Sequence, residues 1–193
     1  MYQHQNKLVC EHCWRYEDMQ PSSPTPDFSG TWSIRILDSE PQGISPGVSH
    51  AITERGLYLI RYRGGQTGEQ IVVEDGAGIV GMLRYRDISG SVQSEIPSII
   101  TEIILSNPDI FLMFYNRGGP INRKMHTFQL LPGIGPSTAQ EMVRKRGSGW
   151  KDFSAVSKDC GIDAAALLAN RFHEELKDPG MLPSIISMLV RAG

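Results

Sequence analysis

Large apolar and polar side chains alternate along Thr31-Trp32-Ser33-Ile34-Arg35-Ile36-Leu37, the period of a half-buried strand. Gly56-Leu57-Tyr58-Leu59-Ile60-Arg61-Tyr62-Arg63 is rich in β-formers and stops at Gly64-Gly65, a turn signal. Glu69-Gln70-Ile71-Val72-Val73 and Gly78-Ile79-Val80-Gly81-Met82-Leu83-Arg84-Tyr85 complete a set of short strands, while residues 41–48 read as a loop. Short strands with glycine-rich turns suggest a small barrel or sandwich. The period then changes. Ile96, Ile99, Ile100, Ile103 and Ile104 recur at helical spacing and predict an amphipathic helix over 95–106, broken by Asn107-Pro108-Asp109. A short helix over 110–115 follows, and from residue 122 onward the pattern is helical, over 122–130, 136–146, 152–159, 163–177 and 182–190.

Ahead of the strands, Gln20-Pro21-Ser22-Ser23-Pro24-Thr25-Pro26-Asp27 disfavours helix and ladder alike. The pattern divides the chain into a leader (1–20), a Pro/Ser linker (21–30), a β region (31–94), connecting helices (95–120) and a helical region (121–193). With 193 residues, 40% hydrophobic and 21% charged, the composition is that of an ordinary globular protein with a core of useful size. No stretch approaches the roughly 18 apolar residues needed to span a bilayer. The first residues, Met1-Tyr2-Gln3-His4-Gln5-Asn6-Lys7, resemble neither a secretory signal nor a transit peptide, so a cytoplasmic protein without membrane contact is expected.

The net charge of -2 hides an asymmetry: residues 1–120 carry 9 basic and 14 acidic side chains, residues 121–193 carry 10 and 7. Arg123, Lys124, Arg144, Lys145, Arg146 and Lys151 face only Glu141 across 123–151. A basic region in an acidic chain suits an anionic partner or a solvated helix face. The sharpest motif lies inside it. Leu130-Leu131-Pro132-Gly133-Ile134-Gly135-Pro136-Ser137-Thr138-Ala139 is a helix end, a Pro-Gly-Ile-Gly turn, and a second helix with proline at its first position. Gly133 and Gly135 can take positive φ and admit a phosphate close to the backbone. The free amides that follow, aided by the helix dipole, make an anion site. Ile134 should pin the turn to the core, Ala139 should keep the helices close, and Met142 and Val143 should continue the buried face. This is the helix-hairpin-helix arrangement, which grips a nucleic-acid backbone without reading bases; the bland alternative is a tight structural turn. The candidate nucleic-acid-binding residues are Arg123, Lys124, Pro132, Gly133, Ile134, Gly135, Ser137, Thr138, Arg144, Lys145, Arg146 and Lys151.

A longer stretch narrows the reading. Pro108-Asp109-Ile110-Phe111-Leu112-Met113-Phe114-Tyr115-Asn116-Arg117-Gly118-Gly119-Pro120-Ile121 runs through Arg123 and His126 into Phe128-Gln129-Leu130-Leu131-Pro132-Gly133-Ile134-Gly135. It resembles the mainly archaeal domain of unknown function 655 family. Ile36-Leu37-Asp38-Ser39-Glu40-Pro41, Arg84-Tyr85-Arg86-Asp87-Ile88, Trp150-Lys151-Asp152-Phe153 and the stretch from Arg171 to Leu176 also fit, so the likeness covers roughly 31–190. The resemblance implies an α+β chain, with a small OB-like β-barrel followed by an all-helical helix-hairpin-helix domain, and RNA or DNA binding; it brings no activity. Two lysines that usually follow Gly-Ile-Gly in the family are replaced by Pro136 and Ser137, which shifts the expected binding toward backbone amides, Arg123, Lys124 and Arg144.

Other features keep two readings each. Cys10 and Cys13 have the spacing of half a zinc site that His4 could join, with further ligands from elsewhere, or they are unliganded thiols. Cys160 reads as a small buried residue. His126 either reaches a phosphate or caps and packs. Trp32, Tyr58, Tyr62 and Tyr85, interleaved with Arg61, Arg63, Arg84 and Arg86, are either core or a base-stacking face. No Gly-x-Ser-x-Gly elbow, Walker loop or His-Glu-x-x-His occurs, so no enzyme is expected. The expected function is non-enzymatic binding of structured RNA, ribosomal RNA or a ribosomal protein being among the candidate partners. The alternatives are a DNA-binding repair or recombination factor and a protein-interaction subunit whose hairpin is only structural.

Overall fold

Five antiparallel strands, β1 (Thr31–Glu40), β2 (Val48–Thr53), β3 (Leu59–Arg63), β4 (Gln70–Glu74) and β5 (Ile79–Met82), form an open sheet in the order β4-β1-β2-β3-β5. The computed structural model describes residues 26–40 and 47–191. The leader, with Cys10, Cys13 and His4, lies outside the described residues. Strand β2 was not expected from the sequence. Ser49, Ala51 and Thr53 lie on one of its faces, buried but small or polar, and Ile52 is the large side chain fully buried on the other, so no large apolar alternation marks it. The turn into β3 places Gly56 and Leu57 at positive φ (90° and 49°). For leucine that conformation is uncommon, and complete burial of its side chain in the core holds it there.

Both faces of the sheet are packed. Ile34, Ile36, Ala51, Ile60 and Val73 bury one face among themselves, with Phe28, Trp32, Tyr58, Tyr62, Ile71 and Ile79 against them. Leu37, Ile52, Leu59 and Leu83 point to the opposite face and join the core of the helices. One face of the sheet therefore shares the core of the helices, and the other closes a smaller core of its own.

The helices are α1 (Gly90–Ser106), α2 (Pro108–Phe111), α3 (Met113–Arg117), α4 (Pro136–Arg146), α5 (Phe153–Cys160) and α6 (Ala164–Lys177). Helix α1 begins five residues before the expected start at 95, despite Gly90 and an internal Pro97. Proline there cannot donate to the carbonyl of Gln93, which lies 3.5 Å from the Tyr85 hydroxyl. Val92, Ile96, Ile100, Ile103 and Ile104 make the buried stripe of α1. Arg35 fixes α1 to the sheet: buried beneath it, the guanidinium pairs with Glu54 at 3.0 Å and with Glu102 of α1. The expected short helix over 110–115 is two turns, α2 and α3, and the expected helix over 182–190 is a π-helical turn, Ser187–Arg191.

That last segment is held by a buried carboxylate. Glu175 accepts from the amides of Ile185 (2.9 Å) and Ile186 (3.0 Å) and from the Ser184 hydroxyl, while pairing with Arg171 at 2.9 Å. Arg171 also donates to the carbonyl of Pro183. Replacing Glu175 by alanine leaves two buried amides and a largely buried guanidinium without their acceptor. Urea unfolding of Glu175→Ala is expected to show a loss of about 3 kcal/mol; a loss under roughly 1 kcal/mol, the range of an exposed pair, would remove this clasp from the account.

Candidate nucleic-acid interface

The segment before the Pro-Gly-Ile-Gly turn is not the helix expected over 122–130. Pro120 and His126 form an isolated bridge, Ile121 donates to the carbonyl of Met125 at 2.8 Å, and the Asn122 side chain accepts the Lys124 amide at 2.8 Å. A tight turn results, with Arg123 and Lys124 exposed at its tip. Asparagine captures the backbone locally here and stops helix propagation. Helical conformation begins only at the 3-10 turn Thr127–Leu130. His126 caps it: its Nδ1 accepts the Phe128 amide at 3.1 Å, and the Gln129 side chain accepts the His126 amide at 2.8 Å. Of the two readings of His126, the structure therefore shows the capping one.

Leu131 and Ile134 are buried and anchor the turn to the helical core, as expected for Ile134. Gly133 takes φ 77°, a conformation that favours glycine. Gly135 does not: it sits at φ -84° and ψ 175°, ordinary extended backbone, as the N-cap of α4. Neither its dihedral angles nor crowding by the protein calls for glycine here, since a Cβ would meet nothing within 4 Å. Pro136 occupies the first turn of α4, where a missing N–H leaves nothing unpaired. The amides of Gly133, Gly135, Ser137 and Thr138 donate to no protein acceptor among the described residues, and no side chain caps the helix. They are oriented donors at the positive end of the helix dipole.

Between the 120–129 segment and α4 runs a cleft of about 790 Å³, lined on one side by Pro120, Asn122, Arg123, Lys124, Met125, His126 and Gln129, and on the other by Pro136, Ser137, Ala139, Gln140, Val143 and Arg144. The structure brings Arg123, Lys124, Ser137 and Arg144 together around it. Arg123, Lys124 and Arg144 are exposed, and their side chains pair with no carboxylate among the described residues. Lys145 and Arg146 are engaged elsewhere. Lys145 pairs with Glu141 at 2.8 Å and donates to the carbonyl of Asp159 at 2.7 Å. Arg146 turns back from the end of α4 to the carbonyls of Gly118 and Tyr115 and lies over the Phe128 ring, 5.8 Å from its centre. The basic run 144–146 therefore offers only Arg144 to the cleft. Lys151 stands apart on the α4–α5 loop, 3.8 Å from Asp152. Met142 is buried as expected, but Val143 is 37% exposed on the cleft wall, not part of the buried face. Asn122, Met125 and Gln140 line the cleft without having been singled out in the sequence; they carry no charge and belong to no motif.

The expected strand over 78–85 ends at Met82, so Tyr85 lies on the 3-10 turn Tyr85–Asp87 and not on the sheet, and the tyrosines form no open stacking face. Tyr58 packs with Phe28 and Trp32, Tyr62 lies on the inner cluster, and the Tyr85 hydroxyl meets His173 Nε2 at 2.7 Å. Arg61, Arg63, Arg84 and Arg86 are exposed, and Arg84 pairs with Asp87 at 2.9 Å. Among the described residues no group of three or more His, Cys, Asp or Glu side chains could hold a metal ion. Cys160 is half-buried against the helical core, which pushes its thiol up from the usual value. No single described helix is long and apolar enough to cross a membrane; α1 with α2–α3 reaches the length only as a pair bent by 94°.

The family described as "Protein of unknown function (DUF655)" matches residues 66–182, the span from the approach to β4 to just beyond α6, including the Pro-Gly-Ile-Gly turn. The chain belongs to the DUF655 family. It is similar to "Uncharacterized protein MJ0038" of Methanocaldococcus jannaschii, 26% identical over 98 residues, which are 50% of this chain and 45% of that protein. The match thus spans about half the length of this curated relative. The fold is similar to the crystal structure of Af1531 from Archaeoglobus fulgidus, a DUF655 protein, with a TM-score of 0.70 and 22% identity over 81% of this chain and 99% of that one.

In this DUF655 chain the cap has a consequence for pH. Burial, reinforced by the nearby Arg146 guanidinium, lowers the His126 pKa from 6.5 to about 4. The folded state thus keeps the imidazole neutral while the unfolded chain takes up a proton near 6.5. Stability from this group is present above pH 6.5 and lost as pH falls toward 4. The midpoint of urea unfolding should drop across that window, and drop less in His126→Asn, which keeps an acceptor for the Phe128 amide but does not titrate. Equal slopes in the two proteins would show that His126 is not the responsible group.

Proposed function

We propose that this chain is a non-enzymatic protein that holds structured RNA by its sugar–phosphate backbone, at the mouth of the cleft between the 120–129 segment and α4. The observation that carries the reading is a set of unspent donors: four backbone amides at the turn, of which only Ser137 belongs to a residue lining the cleft, and beside them the three cleft-lining basic side chains Arg123, Lys124 and Arg144, which pair with no carboxylate among the described residues. Each amide is already oriented, so a phosphate oxygen placed there meets donors that need no reorganisation. From Ser137 to Arg144 the helix advances about 10 Å, against an axial rise of roughly 3.4 Å per nucleotide on one duplex strand, so the clamp reaches more than one phosphate. We read the 3-10 turn, the hairpin and α4 together as a helix-hairpin-helix whose first helix is reduced to one turn. We read the curled sheet, with its own inner core, as OB-like. Folded RNA suits a concave site better than uninterrupted duplex DNA does, because its loops and bulges present backbone that enters a cleft.

The test is a set of binding titrations of structured RNA and matched duplex DNA at several salt concentrations. Gly135→Val places its Cβ in open space at an ordinary φ, so it should fold as the parent does. It is expected to weaken RNA binding by at least about tenfold, through crowding of the phosphate. Arg123→Ala, Lys124→Ala and Arg144→Ala should each lower the slope of log affinity against log salt by about one, alike for all sequences. Undiminished affinity in Gly135→Val would make the hairpin a structural turn, and preference for the duplex DNA would overturn the choice of RNA.

A further inference from the structure

The cleft beside the clamp contains more than a phosphate needs. Its lining includes apolar side chains from both walls, Met125 from the 120–129 segment and Ala139 and Val143 of α4, and Val143 keeps 37% of its surface exposed. A phosphate gains nothing from those side chains, and the ridge of a regular duplex, with its bases stacked inside, has no flat apolar surface to lay on them. Two amide side chains stand over the same space with hydrogen-bonding capacity to spare. Gln140 is exposed and makes no side-chain hydrogen bond among the described residues, and Asn122 uses only its carbonyl oxygen, on the Lys124 amide, leaving its NH2 free. Arg144 supplies the positive charge at the rim.

We propose that the cleft seats one unstacked base of the bound RNA, with its flat face on Met125 and Val143, its edge against the Gln140 and Asn122 amides, and its own phosphate at the turn and Arg144. The proposal rests on the backbone-clamp reading above and adds that the preferred target carries an unpaired nucleotide where it is gripped. The components match one ligand chemistry. An unstacked nucleotide is a planar, partly apolar group with hydrogen-bonding edges joined to an anion, and the site offers apolar side chains, paired donor–acceptor amides and cationic or N–H donors. The volume, about 790 Å³, is in the range of pockets that enclose small organic groups. Methionine conforms to differently shaped flat surfaces, so the lining suits more than one base. Sequence preference then comes from Gln140 and Asn122, at a single position of the RNA, while the flanking contacts remain indifferent to sequence.

The experiment compares one RNA hairpin carrying a single bulged nucleotide with the same hairpin fully paired, using the full chain, Val143→Trp and Gln140→Ala. Both substitutions are at exposed positions of α4 and leave its buried residues untouched. The parent should bind the bulged RNA about tenfold more tightly, and 2-aminopurine at the bulge should brighten on binding as it leaves its stacked neighbours. Val143→Trp, which fills the cleft, should reduce the bulged RNA to the affinity of the paired one while keeping that affinity and the salt slope unchanged. Gln140→Ala should narrow the differences between the four bases at the bulge. Equal affinity of the parent for both RNAs, with a normal salt slope, would overturn the base pocket and leave the clamp standing. Binding to neither RNA would remove the clamp and the pocket together.

Discussion

The guanidinium of Arg146 ties the end of α4 to the carbonyls of Gly118 and Tyr115 and covers the Phe128 ring. The site depends on that tie. It fixes the distance between α4 and the 120–129 segment, which are the two walls of the cleft, and it satisfies carbonyls that the end of α3 would otherwise leave open. It also places a permanent positive charge near His126, which adds to the larger effect of burial in holding the imidazole neutral, with its acceptor kept for the Phe128 amide. This cation lies behind the cleft, while the basic side chains exposed around the cleft are Arg123, Lys124 and Arg144. Nearby, the Asn116 side chain exchanges hydrogen bonds with the backbone of Trp150, and Tyr115 donates to the carbonyl of Ala164, so α3 holds the later helices against the same loop.

The sheet contributes in another way. With one face closed on its own small core and the other shared with the helices, it gives α1 a fixed bed, and α1 in turn packs along α6. Arg35 is caught in this layer between buried Glu54 and exposed Glu102, a partly buried ionic link that specifies how the helix lies on the strands. Such links add less to stability than apolar packing of the same volume, and their value here is positional.

Much of this was legible in the chain itself. Strong alternation revealed β1, and the isoleucine spacing revealed the C-terminal two-thirds of α1, because in both places large apolar residues face one core. The helices α4, α5 and α6 came out within a residue or two for the same reason. Strand β2 did not, because Ser49, Ala51 and Thr53 bury only small or polar side chains on one face and Ile52 is the large side chain fully buried on the other, which leaves no period to read. The helix expected over 122–130 failed because Asn122 and His126, side chains that take over backbone hydrogen bonds, outweigh a composition otherwise compatible with helix. At the Pro-Gly-Ile-Gly turn the sequence could not separate Arg144 from its neighbours: three consecutive basic residues on a helix point in three directions, and only the fold decides which one meets the cleft. Gly135 was assigned a positive φ that it does not have, and the neutral lining of the cleft, Met125 and Gln140, carried no signal at all.

The most direct measurement is the response of individual backbone amides to structured RNA, followed by amide-resolved nuclear magnetic resonance on the isotopically labelled chain. The account predicts the largest shifts at Gly133, Gly135, Ser137 and Thr138, moving together with Arg123, Lys124 and Arg144 as RNA is added. Tight binding that leaves those four amides unmoved, with the changes concentrated on the strands around Arg61 and Arg63, would contradict it.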